Sequence, residues 1–227
     1  MNAYNFTFCG TACQALPTGA LYLPDQRILC VSDLHLGKSD RIARRSGVML
    51  PPYDVQATLE KLENDIAATR PETLICLGDS FDDLAAAESL DEDARLWLTR
   101  LQAGRRWIWI EGNHDPGPVD LVGDHLAQFQ TGTLTFRHIA TDAPAEVSGH
   151  YHPKHRLAGR SRPAFLYDST RMILPAYGAY TGGLTSGAPD LRGLLGTNPV
   201  AILTGRKAIP VPLTETRRAA RFPGRSW

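Results

Sequence analysis

The chain has 227 residues, of which 43% are hydrophobic, so it is long enough to bury the core of one large α/β domain. Lys plus Arg and Asp plus Glu number 24 each, and this balance excludes a global electrostatic attraction to nucleic acid or to a membrane surface. Any such partner must be bound through local charged patches.

The cysteines and the first residues lead us to expect a cytoplasmic protein. Cys9, Cys13, Cys30 and Cys76 do not form the dense pattern of a disulfide framework, so we expect free thiols, with a metal or redox pair at Cys9 and Cys13 as the alternative. The first residues lack the basic and apolar regions of a signal peptide, and no run approaches the roughly 18 apolar residues of a membrane span. We therefore expect no membrane partner.

The first half of the chain alternates between strand patterns and helix patterns. Short apolar runs bounded by turn residues predict strands at 6–9, 20–23, 27–32, 73–77 and 107–110. Helical spacing of apolar residues predicts a helix over 54–70 capped by Asp54, and a second that opens at the capping box Ser89-Leu90-Asp91-Glu92. In open α/β sheets ligands bind beyond the carboxyl ends of the strands, so we expect the site there.

The second half of the chain has a different pattern. Runs at 133–137, 145–147, 163–167, 172–174, 200–203 and 208–211 predict a second, mostly antiparallel sheet packed on the first. The Gly-rich stretch 177–199 is predicted to be a long irregular loop, which either lines the site or is a plain surface connection. We expect one domain over residues 1–215 and a basic, flexible tail over 216–227.

Four short segments place oxygen and nitrogen donors at predicted strand ends. They are Asp33-Leu34-His35, Gly78-Asp79-Ser80-Phe81-Asp82, Gly112-Asn113-His114-Asp115 and Gly149-His150-Tyr151-His152. In an extended loop residues two apart project to the same side, so the Asp-x-His and His-x-His pairs could each bind one centre from a single segment. Mixed carboxylate, imidazole and amide donors suit Mn, Fe or Zn better than Ca or Mg.

These four motifs, in this order, resemble those of the calcineurin-like metallophosphoesterases. The resemblance implies an α/β fold of two packed mixed β-sheets flanked by helices, which is a four-layer αββα sandwich. It also implies two divalent metal ions, with Mn first and Fe or Zn as alternatives. One ion would be bound by Asp33, His35, Asp79 and His152, and the second by Asp79, Asn113, His138 and His150. Asp79 would bridge the ions, and His138 is the best candidate for the last ligand because it lies upstream of His150.

Two such ions, about 3.5–4 Å apart, would activate a bridging hydroxide and clamp a phosphodiester for in-line attack. We expect His114 to be an acid or electrostatic stabiliser for the leaving group, oriented by Asp115. Asp82 is expected to make structural hydrogen bonds in its loop, with a contact to metal or substrate as the alternative.

The residues around the motifs give a finer resemblance. Ser32-Asp33-Leu34-His35-Leu36-Gly37-Lys38, the run Gly149-His150-Tyr151-His152-Pro153 and residues 174–184 are similar to the bacterial ligase-associated DNA damage response phosphoesterases. That resemblance implies a Mn-dependent phosphodiesterase or endonuclease of DNA repair, encoded near a DNA ligase and a helicase.

Basic residues follow the first and the last motif. Lys38, Arg41, Arg44 and Arg45 follow the first; Lys154 and Arg156, with Arg160 and Arg162 beyond them, follow the last. We expect the first cluster together with Lys154 and Arg156 to hold phosphates that flank the scissile one. A solvated helix face and a charged turn are the alternative interpretations of these two clusters.

Two other functions stay open at this point. A phosphomonoesterase or a small-nucleotide phosphodiesterase could use the same metal site in a narrower cleft. A non-catalytic scaffold in a repair assembly is a hypothesis of another class, but such proteins typically lose metal ligands, and none is missing here.

Overall fold

The computed structural model describes residues 2–39, 41, 42, 47, 53–88, 90–117 and 121–213. Arg44, Arg45 and the expected tail 216–227 lie outside the described residues. The four cysteines are all free, as expected. Within the described part of the chain, no helix has the length and apolar character needed to cross a membrane.

The first sheet has seven strands in chain order. They are β1 (Tyr4–Phe8), β2 (Thr11–Ala15), β3 (Leu21–Leu23), β4 (Ile28–Val31), β5 (Thr73–Leu77), β6 (Arg106–Ile110) and β7 (Asp124–Leu126). Strands β1 to β4 pair antiparallel, whereas β4 to β7 pair parallel. Parallel neighbours need long crossovers; the one from β4 to β5 contains helix α1 (Asp54–Thr69), and the one from β5 to β6 contains helices α2 (Leu84–Glu88) and α3 (Glu92–Gln102). The carboxyl ends of β4, β5 and β6 therefore meet at one edge.

The second sheet has eight strands and one further short helix beside it. They are β8 (Gln128–Thr131), β9 (Leu134–Arg137), β10 (Glu146–Ser148), β11 (Lys154–Leu157), β12 (Arg160–Tyr167), β13 (Arg171–Ile173), β14 (Val200–Leu203) and β15 (Ile209–Pro212), with helix α4 (Pro189–Leu194). The order is β15-β14-β12-β13-β10-β9-β8, and β11 pairs with β12. Only β10 pairs in parallel, with β9 and β13, so the sheet is mostly antiparallel as predicted.

Alternating side chains of the central strands face two different layers, as the period of two requires. In β4, Leu29 and Val31 pack with helices α1 and α3, whereas Ile28 and Cys30 pack against the second sheet. On the far side of that sheet, Leu191 of α4 packs against β12 and β14. The layers are thus helix, sheet, sheet, helix, and the predicted four-layer sandwich is confirmed.

Two helix starts differ from the predictions. Asp54 does not cap α1, because Tyr53 is at the cap position and the Asp54 carboxylate accepts hydrogen bonds from the Ser39 amide at 3.1 Å and hydroxyl at 2.5 Å. Helix α3 begins at Glu92, with Asp91 as its N-cap and the Ala94 amide donating to the Asp91 carboxylate at 2.7 Å. The predicted capping box therefore placed the start of α3 too early. Asp91 lies directly before the first turn, and its carboxylate accepts a hydrogen bond from a free backbone amide of that turn.

Candidate metal centre

Ligand candidates from both sheets meet at one end of the sandwich. In the first sheet, Asp33, Asp79 and Asn113 come two or three residues after β4, β5 and β6 end. In the second sheet, His138 directly follows β9 and His150 follows β10. Neighbouring strands place these ends close together, so ligands separated by more than 100 residues become neighbours.

Asp33, His35 and His152 form the first group with metal-ligand geometry, in which the candidate donor atoms all lie within 4.8 Å of one another. His152 Nε2 lies 3.0 Å from Asp33 Oδ1, and His35 Nε2 lies 3.2 Å from His152 Nε2. The Ser32 hydroxyl donates to Asp33 Oδ2 at 2.5 Å, and the amide of His150 donates to the same oxygen at 3.0 Å. Asp33 is therefore fixed on one side and points toward the imidazoles with the other oxygen.

Asp79, His138 and His150 form the second group, which is also within 4.8 Å. His138 Nε2 lies 3.3 Å from Asp79 Oδ2, 3.3 Å from His150 Nδ1 and 3.0 Å from Asn113 Oδ1. The two groups contain six of the seven ligand candidates, and the seventh, Asn113, lies beside the second group through its contact with His138. We expected His150 and His152 to be able to bind one centre from a single segment. The structure instead places them in different groups. The bridging role of Asp79 stays a prediction.

Five of the seven candidate ligands have left-handed backbone conformations rather than extended ones. The φ values are 53° at Asp33, 46° at His35, 46° at Asp79, 69° at His150 and 46° at His152. A left-handed conformation is uncommon for residues other than glycine, costs about 1–3 kcal/mol, and clusters at functional sites. Asp33 and His35 do belong to the same group, as expected. Their side chains meet because of left-handed turns, however, and not because alternate residues of an extended loop project to the same side.

Two imidazoles are held with one nitrogen directed at the centre. His35 Nδ1 lies 2.8 Å from the Asp82 carboxylate, and His138 Nδ1 lies 3.1 Å from the carbonyl of Leu77. Each Nδ1 therefore carries the proton in the neutral ring, and each Nε2 presents a lone pair to the neighbouring donors. Because Asp33 and Asp79 add buried negative charge at the same place, this donor set fits divalent cations.

The pKa shifts of four ligand candidates suit ligation, whereas at His138 burial is outweighed by the hydrogen bond with Asp79, which raises the pKa. Burial raises the pKa of Asp33, but its contacts with His152 and His138 outweigh that effect and hold the pKa below its ordinary value. At Asp79 burial is likewise outweighed, by His138 and the His114 amide, so the pKa falls to about 2. Burial lowers the pKa of both His35 and His150. Ionised carboxylates and neutral imidazoles are the forms that bind metals.

Asp82 is fully buried, and with His35 and His114 it forms a third group whose candidate donor atoms lie within 4.8 Å of one another. Its Oδ1 contacts His35 and lies 3.3 Å from Lys38 Nζ, while Oδ2 accepts a hydrogen bond from Arg41 at 2.8 Å. Burial raises the pKa of Asp82, but His35, Arg41 and Lys38 together hold it far below its usual range. The residue thus orients one ligand and ties two basic side chains to the site, which was not foreseen from the sequence.

His114 lies beside the centre, but its contacts differ from the expected ones. Its ring packs edge-on against His35, with 5.3 Å between ring centroids, and its Nδ1 donates to the carbonyl of Asp82 at 2.9 Å. Asp115 does not orient this ring. Its carboxylate accepts hydrogen bonds from the amides of Ser80 at 2.8 Å, Phe81 at 3.1 Å and Gly112 at 3.1 Å. Asp115 therefore holds two motif loops together, and burial raises its pKa to about 6.

The predicted substrate-binding residues are split between the site and its surroundings. Lys38 and Arg41 contact Asp82, and Arg41 NH1 lies 3.5 Å from His114 Nδ1. Lys154 instead donates to the carbonyl of Thr181 at 3.2 Å, and Arg156 to that of Gly159 at 3.3 Å. Both belong to β11, which is a strand of a hairpin rather than a charged turn. Arg44 and Arg45 lie outside the described residues.

The Gly-rich stretch that begins at Tyr177 packs against the ligand segments. The amide of Tyr177 donates to the carbonyl of Ser32 at 2.7 Å, and that of Gly178 donates to the carbonyl of Asp33 at 3.0 Å. A Cβ at Gly183 would lie 2.0 Å from the carbonyl oxygen of His152, so no larger residue fits there without a shift. This part of the predicted loop therefore lines the site, whereas its later part contains α4 and is not wholly irregular.

Comparison with known proteins agrees with this geometry. A family model described as calcineurin-like phosphoesterase matches residues 26–180, which is more than half of the chain. Among solved structures, the chain is similar to the nuclease MPE of Pseudomonas putida, at 27% sequence identity and a TM-score of 0.75. The match covers 92% of this chain and 100% of that one. No curated protein is significantly similar to the chain in sequence.

Proposed function

Because the chain belongs to the calcineurin-like phosphoesterase family, a family of metal-dependent hydrolases, we propose that it is a phosphodiesterase that cleaves DNA at a two-metal centre. The observation that carries this proposal is the meeting of two groups of metal-ligand candidates, Asp33-His35-His152 and Asp79-His138-His150, with Asn113 beside the second. When bound there, two divalent cations supply an activated nucleophile and neutralise charge on the phosphoryl oxygens. Mn is the first candidate, and Fe and Zn suit the same donors.

The residues around the ligands have separate tasks in this proposal. The Nδ1–H of His114 donates to the Asp82 carbonyl, so Nε2 is the nitrogen that, in the imidazolium form of the ring, gives a proton to the leaving oxygen. Arg41 contacts both Asp82 and His114, and its guanidinium can attract a phosphate oxygen to that side of the centre. Asp115 fixes the loops that carry Asp79 and Asn113, which makes it a positioning residue rather than a catalytic one.

A diester substrate is favoured over a monoester by the similarity to a nuclease at 27% identity along nearly the whole chain. DNA is the class of diester favoured by the residues that flank the motifs. We also propose a role in DNA repair together with a DNA ligase and a helicase, and its support is the resemblance of those flanking residues alone.

The test is hydrolysis of bis-p-nitrophenyl phosphate and of p-nitrophenyl phosphate by metal-stripped protein restored with Mn, Fe, Zn or Mg. We expect diester hydrolysis that depends on the added metal and is lost in Asp79→Asn. Asp142→Asn is the matched control, because Asp142 is exposed and should leave the activity unchanged. Preference for the monoester would replace the proposal with a phosphomonoesterase, and no metal-dependent hydrolysis would leave a binding role.

A further inference from the structure

Three arginines line one pocket on the second sheet, outside the metal centre. Arg160 and Arg162 belong to β12, and Arg206 lies in the turn between β14 and β15. Arg160 and Arg206 are exposed and Arg162 is half-buried. The other residues that line the pocket, Ser161, Pro163, Thr204 and Gly205, carry no charge.

These arginines have no counter-charge in the described part of the chain. The sequence contains no Asp or Glu between residues 154 and 166 or between residues 203 and 212. No described acidic group forms an ion pair with any of the three guanidinium groups. The exposed residues Arg27, Arg100 and Arg106, in contrast, each pair with an acid. Three like charges around one concavity repel each other, and a bound anion removes that repulsion.

The strand register holds the three side chains together. Arg160 and Arg162 are two residues apart on one strand, so they project from the same face of the hairpin. Ala164 pairs with Leu203, and the amide of Thr204 donates to the carbonyl of Pro163 at 2.9 Å. These contacts place the turn that carries Arg206 directly beside Arg162.

The same register connects the arginines to the metal centre. Pro163 pairs with Lys154, which is only two residues beyond the ligand candidate His152. From His152 to Arg162 the path between Cα atoms is therefore at most about 17 Å, with about 3.8 Å per residue and about 5.5 Å between paired strands. At about 3.4 Å per nucleotide along one strand of a duplex, this separation is no more than about five nucleotides.

We propose that Arg160, Arg162 and Arg206 form a phosphate-binding site for the backbone of a DNA substrate, with Arg162 no more than about five nucleotides from the ligand candidate His152. The inference rests on the proposed function and narrows its substrate to an extended polyanion. Guanidinium groups bind phosphate oxygens in pairs and give register without reading sequence. A small phosphodiester that fills only the metal centre cannot reach this site.

The test compares a triple variant, Arg160→Gln with Arg162→Gln and Arg206→Gln, with a control triple, Arg27→Gln with Arg100→Gln and Arg106→Gln. Both remove three exposed or half-buried positive charges, so the net charge changes equally. Each protein is assayed for hydrolysis of bis-p-nitrophenyl phosphate and of single-stranded and duplex DNA about 40 nucleotides long. Binding of the same DNA, labelled with a fluorophore, is measured over a series of salt concentrations. Thermal unfolding checks that both variants are folded.

We expect the site variant to hydrolyse bis-p-nitrophenyl phosphate at the wild-type rate, while its kcat/KM on DNA falls at least tenfold. The slope of log affinity against log salt should become shallower by about 3 on duplex DNA and about 2 on single strands. DNA binding and cleavage equal to those of the control triple would overturn the inference. Failure of the wild-type protein to hydrolyse the small diester would instead remove the proposed function, and the binding series would still decide whether these arginines bind DNA.

Discussion

The buried carboxylate of Asp82 links the ligand candidate His35 to Lys38 and Arg41. Asp82→Asn keeps the size of the side chain but removes the charge that fixes the Nδ1 proton of His35. Loss of such a partner behind a ligating histidine typically weakens metal binding 10–100-fold. We expect Asp82→Asn to need that much more Mn for half-maximal hydrolysis of bis-p-nitrophenyl phosphate, with much of the rate restored at saturating Mn.

Asp142→Asn again provides the control for that titration, because Asp142 is exposed. A Mn requirement of Asp82→Asn equal to that of the control would show that the contact with His35 does not tune the centre.

His114 allows a prediction that depends on the leaving group. A residue that protonates the leaving oxygen matters most when that oxygen is a poor leaving group, such as a deoxyribose hydroxyl, and least for p-nitrophenolate. We expect His114→Gln to lose about 10²–10⁴-fold in DNA cleavage but much less with bis-p-nitrophenyl phosphate. An equal loss on both substrates would instead assign the His114 side chain to positioning of the centre, consistent with its edge-on packing against His35.

The sequence predicts which residues reach the site better than it predicts what they contact there. Ligand positions follow from polar residues placed after buried strands, and all seven candidates converge. The left-handed backbone of Asp33 and His35, in contrast, depends on contacts from segments far along the chain, such as the Gly178 amide on the Asp33 carbonyl. The partners of Asp115 are backbone amides, which carry no sequence signal, and for that reason its expected contact with His114 was wrong.

At the level of elements, strands with a buried apolar pattern were predictable and polar ones were not. Strand β4 is a fully buried run of apolar residues, and so is β6 after its exposed first residue, Arg106. Strands β7 and β8, in contrast, consist mostly of polar residues and lie at the ends of their sheets, where one side has no neighbour to enforce a pattern. The hairpin strand β11, which is also mostly polar, was not predicted, and a charged turn was the alternative interpretation of its basic residues.

Helix α1 is joined to the segment after β13 by a half-buried lysine. The ammonium of Lys61 donates to the carbonyl of Tyr177 and lies 3.8 Å from the centroid of its ring, while the Tyr177 hydroxyl donates to Asp65 at 2.8 Å. Burial lowers the pKa of Lys61 from 10.5 to about 8, against the opposing effect of Asp65. Between these two pH values the unfolded chain binds more protons than the folded one, so this group makes folding more favourable as the pH rises.

Lys61→Met keeps the apolar stem and removes the titration. We expect the free energy of unfolding of the wild type, minus that of the variant, to increase by up to about 3 kcal/mol from below pH 8 to above pH 10.5. Urea unfolding at several pH values measures this difference, in which the titration of other groups cancels. Lys207→Met at an exposed position is the control, and a flat difference for Lys61→Met would contradict the prediction.

At the scale of the whole molecule, the candidate metal centre joins the two sheets. Asp33, Asp79 and Asn113 come from the first sheet, whereas His138 and His150 come from the second. The unfolded chain cannot present this set, so metal binding should stabilise the folded protein by about 2.7 kcal/mol for each site at a free metal concentration 100 times the Kd. For a chain of this size, that corresponds to a rise in Tm of roughly 5–10 °C for each site.

We therefore expect a chelator to lower the Tm of the protein and added Mn to restore it, as followed by calorimetry without any substrate. Asp79→Asn removes a carboxylate that lies beside His138 and accepts the His114 amide, so its Tm should respond to Mn much less than that of Asp142→Asn. An unchanged Tm on removal and return of Mn would contradict the prediction, because it would mean that the folded protein does not bind Mn at these donors. In that case the left-handed turns at Asp33 and Asp79 would be stabilised by the protein packing alone.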